Sequence, residues 1–403
     1  MQRIKKLLLY SFLLPFLLGQ EKKNEHFLSK LDLGAFKLRS VGPALTSGRV
    51  SDFAVHPDKR HEYYVATSSG GVWKTINGGA NFKPIFDQQG SYSIGCITMD
   101  PNNPYVIWVG TGENNNQRSV GYGDGIYRSK DGGKTWKHMG LKNSEHIAKI
   151  IIDPRNSKTI YVAAIGPLWS EGGDRGLYKS VDGGETWENK ISVDQHTGVT
   201  DLIMDPNNPD VLYAATYQRR RHVFTWMSGG PGSGLYKSTD SGESWEQLKT
   251  GLPSSIIGRI GLALSPANSD IVYAIIEAMD GQKGFYRTSN RGGSWEKMSS
   301  YTTSGNYYQE IVVDPKNVNT VYSLSTYNMV TRDGGKSFSR LGEKNKHVDN
   351  HVMWIDPDDT NYLLVGCDGG IYESFDKGKN WLYKENLPVT QFYKVTVDND
   401  LPF

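Results

Sequence analysis

Short runs of β-branched and aromatic residues, each bounded by Gly, Pro, Asn or Asp, follow one another along most of this chain. One stretch shows the pattern well. Ile94-Gly95-Cys96-Ile97-Thr98-Met99-Asp100-Pro101 is followed by Tyr105-Val106-Ile107-Trp108-Val109-Gly110, then Gly125-Ile126-Tyr127-Arg128-Ser129, then a further run after Trp136. Runs of this length and composition between turn residues predict β-strands, four to a unit. The first run of each unit ends on a proline, at Pro57, Pro101, Pro154, Pro206, Pro266, Pro315 and Pro357, where a missing N–H does least harm to a strand.

The third and fourth runs of every unit are joined by one phrase, Ser/Thr-x-Asp/Asn-x-Gly-x-(Ser/Thr/Asn)-aromatic. It begins at Thr75, Ser129, Ser180, Ser238, Thr288, Thr331 and Ser374, with starts about 43 to 58 residues apart. Its acids, among them Asp131, Asp182, Asp240, Asp333 and Asp376, sit where a short carboxylate accepts hydrogen bonds from its own turn. The following glycine permits positive φ, and the closing ring is expected to pack into the blade. The phrase is read as a structural clasp rather than a row of catalytic or metal-binding acids, because it recurs in every unit. Repeats of four strands at this period predict an all-β propeller of about seven four-stranded blades.

Composition fits a large globular β-protein: 45 glycines, 11% aromatic residues and 403 residues in all. A formal net charge of +2 gives no reason to expect a nucleic-acid partner. Arg3, Lys5 and Lys6 precede the apolar run Leu7 to Leu18, which is short for a transmembrane span and has the form of a secretory signal. The expected organisation is a signal peptide over 1–20, a propeller over 36–390, and over 391–403 the first strand of a further, incomplete blade. The chain thus reads as the front part of a longer protein with a further C-terminal domain, exported to the periplasm, cell surface or medium, with no transmembrane segment. Phe36 to Arg39 reads as an outer strand. Cys96 and Cys367 fall in the second and seventh units, which are not neighbours, so two buried free thiols are expected.

The clasps resemble the Asp boxes of sialidase-type repeats. With SGRVSDFAVHP, GTGENNNQRSVGYGDGIYRSKDGGKTW and HVDNHVMWIDP followed by LLVGCDGGIYESFDKGKNW, the chain resembles bacterial repeat proteins related to the sortilin N-terminal (VPS10-type) propeller. Such proteins often carry a glycosyl hydrolase label. It is more distantly similar to two-propeller xyloglucanases, whose first blade carries a catalytic Asp in the phrase Tyr-Ala-Arg-Thr-Asp-x-Gly-Gly. Here that position is Ser68, which cannot supply one of the two carboxyl groups that inverting hydrolysis requires. Asp368 keeps an acid at the corresponding place in the seventh unit, where a turn role explains it equally well.

Propeller topology places the axial mouth at the start of each unit's first strand. That gives Arg49, Ser93, His146, Gly198, Arg259, Tyr307, and Asp349 with His351. Loops between second and third strands open on the same face, and they are long in the second (Gly110 to Asp124), third (Ile165 to Arg175) and fourth (Tyr217 to Ser233) units. Glu113, Asp349 and His351 are the candidate acid/base groups. Arg49, Asn114, Asn115, Arg118, His146, Trp169, Trp226, Arg259 and Tyr307 are the candidate ligand-binding groups, rings for stacking and amides or guanidinium groups for hydrogen bonding. No cofactor is expected, and no metal-spaced Cys/His cluster occurs. The function expected is a secreted peptide- or glycan-binding module, with a peptide or carbohydrate partner. The alternative is a glycoside hydrolase whose carboxylates are completed by a further propeller.

Overall fold

The computed structural model describes residues 47–392, 394 and 396; the candidate signal peptide, the Phe36–Arg39 strand and most of 391–403 lie outside the described residues. The described chain forms seven antiparallel sheets, taken in sequence order, and contains no helix. Blade 1 is Val50–Val55, Tyr63–Thr67, Val72–Thr75 and Lys83–Pro84; blade 2 is Ile94–Asp100, Asn103–Thr111, Ile126–Ser129 and Lys137–His138. Blades 3 and 4 open with Ile147–Ile152 and Thr197–Met204, and blades 5, 6 and 7 with Ile257–Leu264, Ile311–Asp314 and Asn350–Ile355. This is the seven-bladed, four-stranded propeller that the repeats predict.

The core is a ring of seven inter-blade seams rather than one central mass. Strand pleating explains it, because successive side chains face opposite neighbours. In blade 1, Tyr64 and Ala66 pack with Ile94, Ile97 and Val109 of blade 2, while Tyr63 and Val65 pack with Leu364 and Ile371 of blade 7. Second strands such as Tyr63–Thr67, Ile160–Ala164 and Leu363–Cys367 are therefore buried along their whole length. Outer strands such as Lys83–Pro84 and Lys137–His138 are exposed.

Blade 7 keeps its own outer strand, Leu382–Lys384, and among the described residues no strand is exchanged to close the ring. Closure rests on the seam between blades 7 and 1, into which Leu387 and Val389 also pack. The Gly48 N–H donates to the Val389 carbonyl at 3.1 Å, and Arg60 pairs with Asp358 at 2.9 Å. Gly366 lets the two sheets approach, since a Cβ there would stand 2.6 Å from Val50.

The clasps hold as expected, with one difference in what their tryptophans do. Asp131 accepts the Lys134 and Thr135 N–H groups, each at 2.9 Å, and the Thr135 hydroxyl at 2.6 Å; Ser129 accepts the Gly133 N–H at 2.8 Å. Those hydrogen bonds, led by the Thr135 hydroxyl, hold the Asp131 carboxyl down at about 2. The closing rings do not serve their own blade alone. Trp136 donates to Ile85 O and Trp187 to Met139 O, each at 2.7 Å, and Trp381 to Gly342 O at 2.5 Å, so each of these three clasps latches onto the preceding blade. Cys96 and Cys367 are buried free thiols.

A carboxyl depressed on folding stabilises above its unfolded value and loses that contribution as pH falls through the folded value. Asp131→Ala should therefore lower Tm by roughly 2–5 °C at pH 6, with the gap from wild type shrinking below about pH 4 and closing near pH 2; calorimetry at three pH values measures this. Gly366→Val should cost about 1–3 kcal/mol by overpacking the closing seam, read from the denaturant midpoint.

Candidate functional site

A cavity of about 310 Å³ runs along the axis, walled by the first strands of the blades. Its wall carries Asp52 (blade 1), Lys149 (blade 3), Asp201 (blade 4) and Glu310 (start of blade 6). Asp52 and Asp201 each follow a bulge in their own strand and accept hydrogen bonds both from that strand and from the first strand of the next blade. Asp52 accepts the Phe53 N–H at 2.8 Å and the Ile97 N–H at 3.0 Å. Asp201 accepts those of Leu202 and Leu262, each at 2.8 Å. Burial, reinforced by Glu310, pushes the Asp201 carboxyl up to about 6, and burial pushes Asp52 up as well. Burial works against the charge on Lys149, but Asp52, Asp201 and Glu310 outweigh it and raise its pKa.

Above the cavity, at the mouth, Arg49 pins blades 1, 2 and 7 together. Its guanidinium forks onto Asp368 at 2.5 and 3.0 Å and reaches Glu113 with its remaining nitrogen. The same group lies over the Tyr307 ring, 5.4 Å from its centroid. His351 Nε2 is 2.8 Å from Asp368, and the Tyr308 ring stacks on His351 while its hydroxyl donates to Asp349 at 2.7 Å. Although burial pushes the Asp368 carboxyl up, the hydrogen bonds and charge of His351 and Arg49 prevail and hold it well below the usual carboxylate range. Ser68 borders the same space, and its buried hydroxyl has no hydrogen-bond partner.

The second unit's long loop crosses the mouth. The Asn116 N–H donates to Asn306 O at 2.9 Å, beside blade 6, and the Asn116 amide donates to Tyr217 of blade 4 at 3.0 Å. Arg219 donates to Asn115 O at 2.8 Å and Asn116 Oδ1 at 2.5 Å, Arg221 to Asn116 O at 2.5 Å, and Arg259 of blade 5 to Asn114 Oδ1 at 3.1 Å. His146 lies beneath, with Nδ1 3.0 Å from Glu113 O, and burial, reinforced by Arg219, pushes its pKa well below the ordinary value.

The fourth unit also differs from the loop expected over Tyr217 to Ser233. Its second strand runs on as Leu212–Arg221 and returns as Trp226–Ser228, paired Arg219 with Ser228 and Arg221 with Trp226. In a strand, Tyr217, Arg219 and Arg221 share one face, and all three are buried toward the mouth. Arg221 covers the half-exposed Trp226 ring, 4.3 Å from its centroid. Burial, reinforced by Arg175, lowers the Arg219 pKa to about 9, and no carboxylate pairs with it among the described residues.

The predicted residues are thus gathered unequally. Arg49, Glu113, Tyr307, Asp349 and His351 meet at one node with Asp368. Asn114 and Arg259 meet across the mouth; Asn115 and His146 lie within its packing. Arg118 is exposed close to Arg221, and Trp169 is half-exposed on the third blade's loop. Asp368, Arg219, Arg221, Lys149 and Glu310 join the site beyond the residues that the sequence nominates. Alternation from Tyr217 to Arg221 was the signal available for the two arginines. Among the described residues, no cluster of three or more His, Cys, Asp or Glu side chains has the arrangement of a metal site.

Comparison with known proteins agrees with this architecture. The Sortilin-Vps10 family (sortilin, neurotensin receptor 3) matches residues 124–233. A xyloglucanase of Paenibacillus sp. is 25% identical over 264 residues, 65% of this chain and 22% of its own length. A xyloglucanase of Hypocrea jecorina is 24% identical over 311 residues, 68% of this chain and 35% of its own. The chain therefore spans about a fifth to a third of these relatives. Among solved structures, the GH74 xyloglucanase of Xanthomonas campestris superposes with a TM-score of 0.63 at 16% identity, covering 86% of this chain and 55% of that one. YCF48 bound to D1 peptide superposes with a TM-score of 0.54 at 13% identity, covering 85% of this chain and 98% of that one. The chain is a seven-bladed β-propeller related to the sortilin-type propeller and to the propellers of xyloglucanases.

Proposed function

We propose that this propeller is a binding module for a polar, extended ligand, a peptide or a glycan, taken at the axial mouth, in an exported protein. The observation that carries this reading is the state of the carboxyl groups at the mouth. A general acid must hold a proton near neutral pH. Asp368 instead is fixed as an anion by Arg49 and His351, Glu113 is drawn onto the same guanidinium, and Ser68 stands where the xyloglucanase acid is expected. Asp201, the carboxyl pushed up to about 6, spends both oxygens on backbone N–H groups. Guanidinium and amide donors beside Tyr307 and Trp226 suit recognition of acceptor-rich chains. The relatives named xyloglucanase and the structure bound to D1 peptide motivate testing both ligand classes.

Glycoside hydrolysis is the second reading, favoured by the xyloglucanase relatives and by one guanidinium holding Glu113 and Asp368 close together. The full-length protein should be incubated with a polysaccharide and peptide panel, alongside Glu113→Gln, Asp349→Asn and Asp368→Asn. Binding without product release supports the proposal. Product release that either of the first two changes abolishes would establish the second reading in its place. For whichever ligand binds, Tyr307→Ala should weaken affinity about 5- to 30-fold through loss of ring contact, measured by calorimetric titration.

A further inference from the structure

The loop crossing the mouth has properties that a permanent structural plug does not need. Residues Glu113-Asn114-Asn115-Asn116-Gln117-Arg118 contain no apolar side chain, so hydrophobic burial contributes little to holding them. They are held by hydrogen bonds from arginines of blades 1, 4 and 5, and each bond is one that a polar ligand or water can replace. Arg219 in particular spends a buried positive charge on loop carbonyl and amide oxygens, and its Nε has no partner. Segments with few buried apolar contacts are the ones that open locally while the rest of a fold stays intact.

The loop is also bounded by glycines that can serve as pivots. Gly112 has φ +86° and no room for a Cβ, which would stand 1.7 Å from Glu145 O. At the other end a Cβ on Gly121 would stand 2.6 Å from Ser93 Oγ. Hinges are commonly a few such positions at the ends of a moving segment. Beneath the loop lies the 310 Å³ cavity, and beside it a second space of about 190 Å³ shares Arg49, Ser68, Glu113 and Tyr307 with the first. Glu113 on Arg49 thus stands at the division between the two.

We propose that residues 112–121 form a displaceable strap, the chain's own occupant of the mouth, whose release from Arg49, Arg219, Arg221 and Arg259 opens the axial cavity to the outer space. This deepens the binding reading above and rests on it for its purpose, but the strap itself is testable without any ligand. Amide exchange in the full chain reads it directly, because the Gly112, Glu113 and Asn116 N–H groups are bonded to Ser93 O, Gly121 O and Asn306 O. Arg219→Gln should speed exchange over 112–121 at least tenfold and leave the blade 4 strand Thr197–Met204 within twofold of wild type. Asn116→Ala, a smaller change, should act in the same direction and serves if the first variant does not fold. A Ser68→Cys reporter should be labelled by N-ethylmaleimide at least tenfold faster when combined with either change. Strap amides that exchange no faster in the folded variants, or only together with blade 4, would overturn the proposal, as would unchanged labelling. Neither readout uses a ligand, so failure to find one would not be mistaken for failure of the strap.

Discussion

The described fold depends on the inner strands of each blade having two buried sides. A four-stranded blade that packs on both faces has no stable existence alone, and only a closed ring satisfies the first and last members. The chain meets that constraint through alternation, with Tyr63 and Val65 turned to blade 7 and Tyr64 and Ala66 turned to blade 2. Among the described residues no strand is exchanged across the final seam, and the seam is held by apolar packing around Val50, Leu364 and Val389, with the Arg60 ion pairs outside it. The clasps add to the same end, since Trp136, Trp187 and Trp381 each bond to the blade before their own.

A closed ring leaves an axis that the strands cannot fill, and the chemistry collects there. First strands converge on it, carrying Asp52, Lys149, Asp201 and Glu310 into a confined, partly desolvated space where charges must be matched. The matching is done mostly between blades: Asp201 to the Leu262 backbone, Arg259 to Glu310, Arg49 to Asp368 and Glu113. The polar lining therefore ties blades together as well as furnishing a site. Arg49 shows both roles at once, joining three blades while lying over Tyr307 at the entrance. Arg219 and Arg221 of the fourth blade are the exception, facing carbonyl and amide oxygens, most of them in the strap, in place of carboxylates.

The blade count, strand order and clasps were legible in the sequence because local pattern determines them: alternation, a recurring turn and a proline at each first strand's end. The mouth was legible in outline, since topology alone places Arg49, Tyr307 and His351 near the axis. The path of residues 113–118 was not, because nothing local distinguishes a polar loop that stands at the rim from one that lies across it. For Asp368 the sequence leaves a hydrolase-type acid and a turn acid equally open, and only the fold brings Arg49 and His351 to it. For Arg219 and Arg221 the information was present, as alternate positions following Tyr217, but the run of charged residues read as a loop.

The strap bridges the second blade to the fourth across the axis. A double-mutant cycle on Arg219→Gln and Asn116→Ala, followed by equilibrium unfolding, tests that contact most directly. A coupling energy of about 1–3 kcal/mol between the two sites is expected. Additive effects, with coupling within about 0.3 kcal/mol of zero, would contradict it.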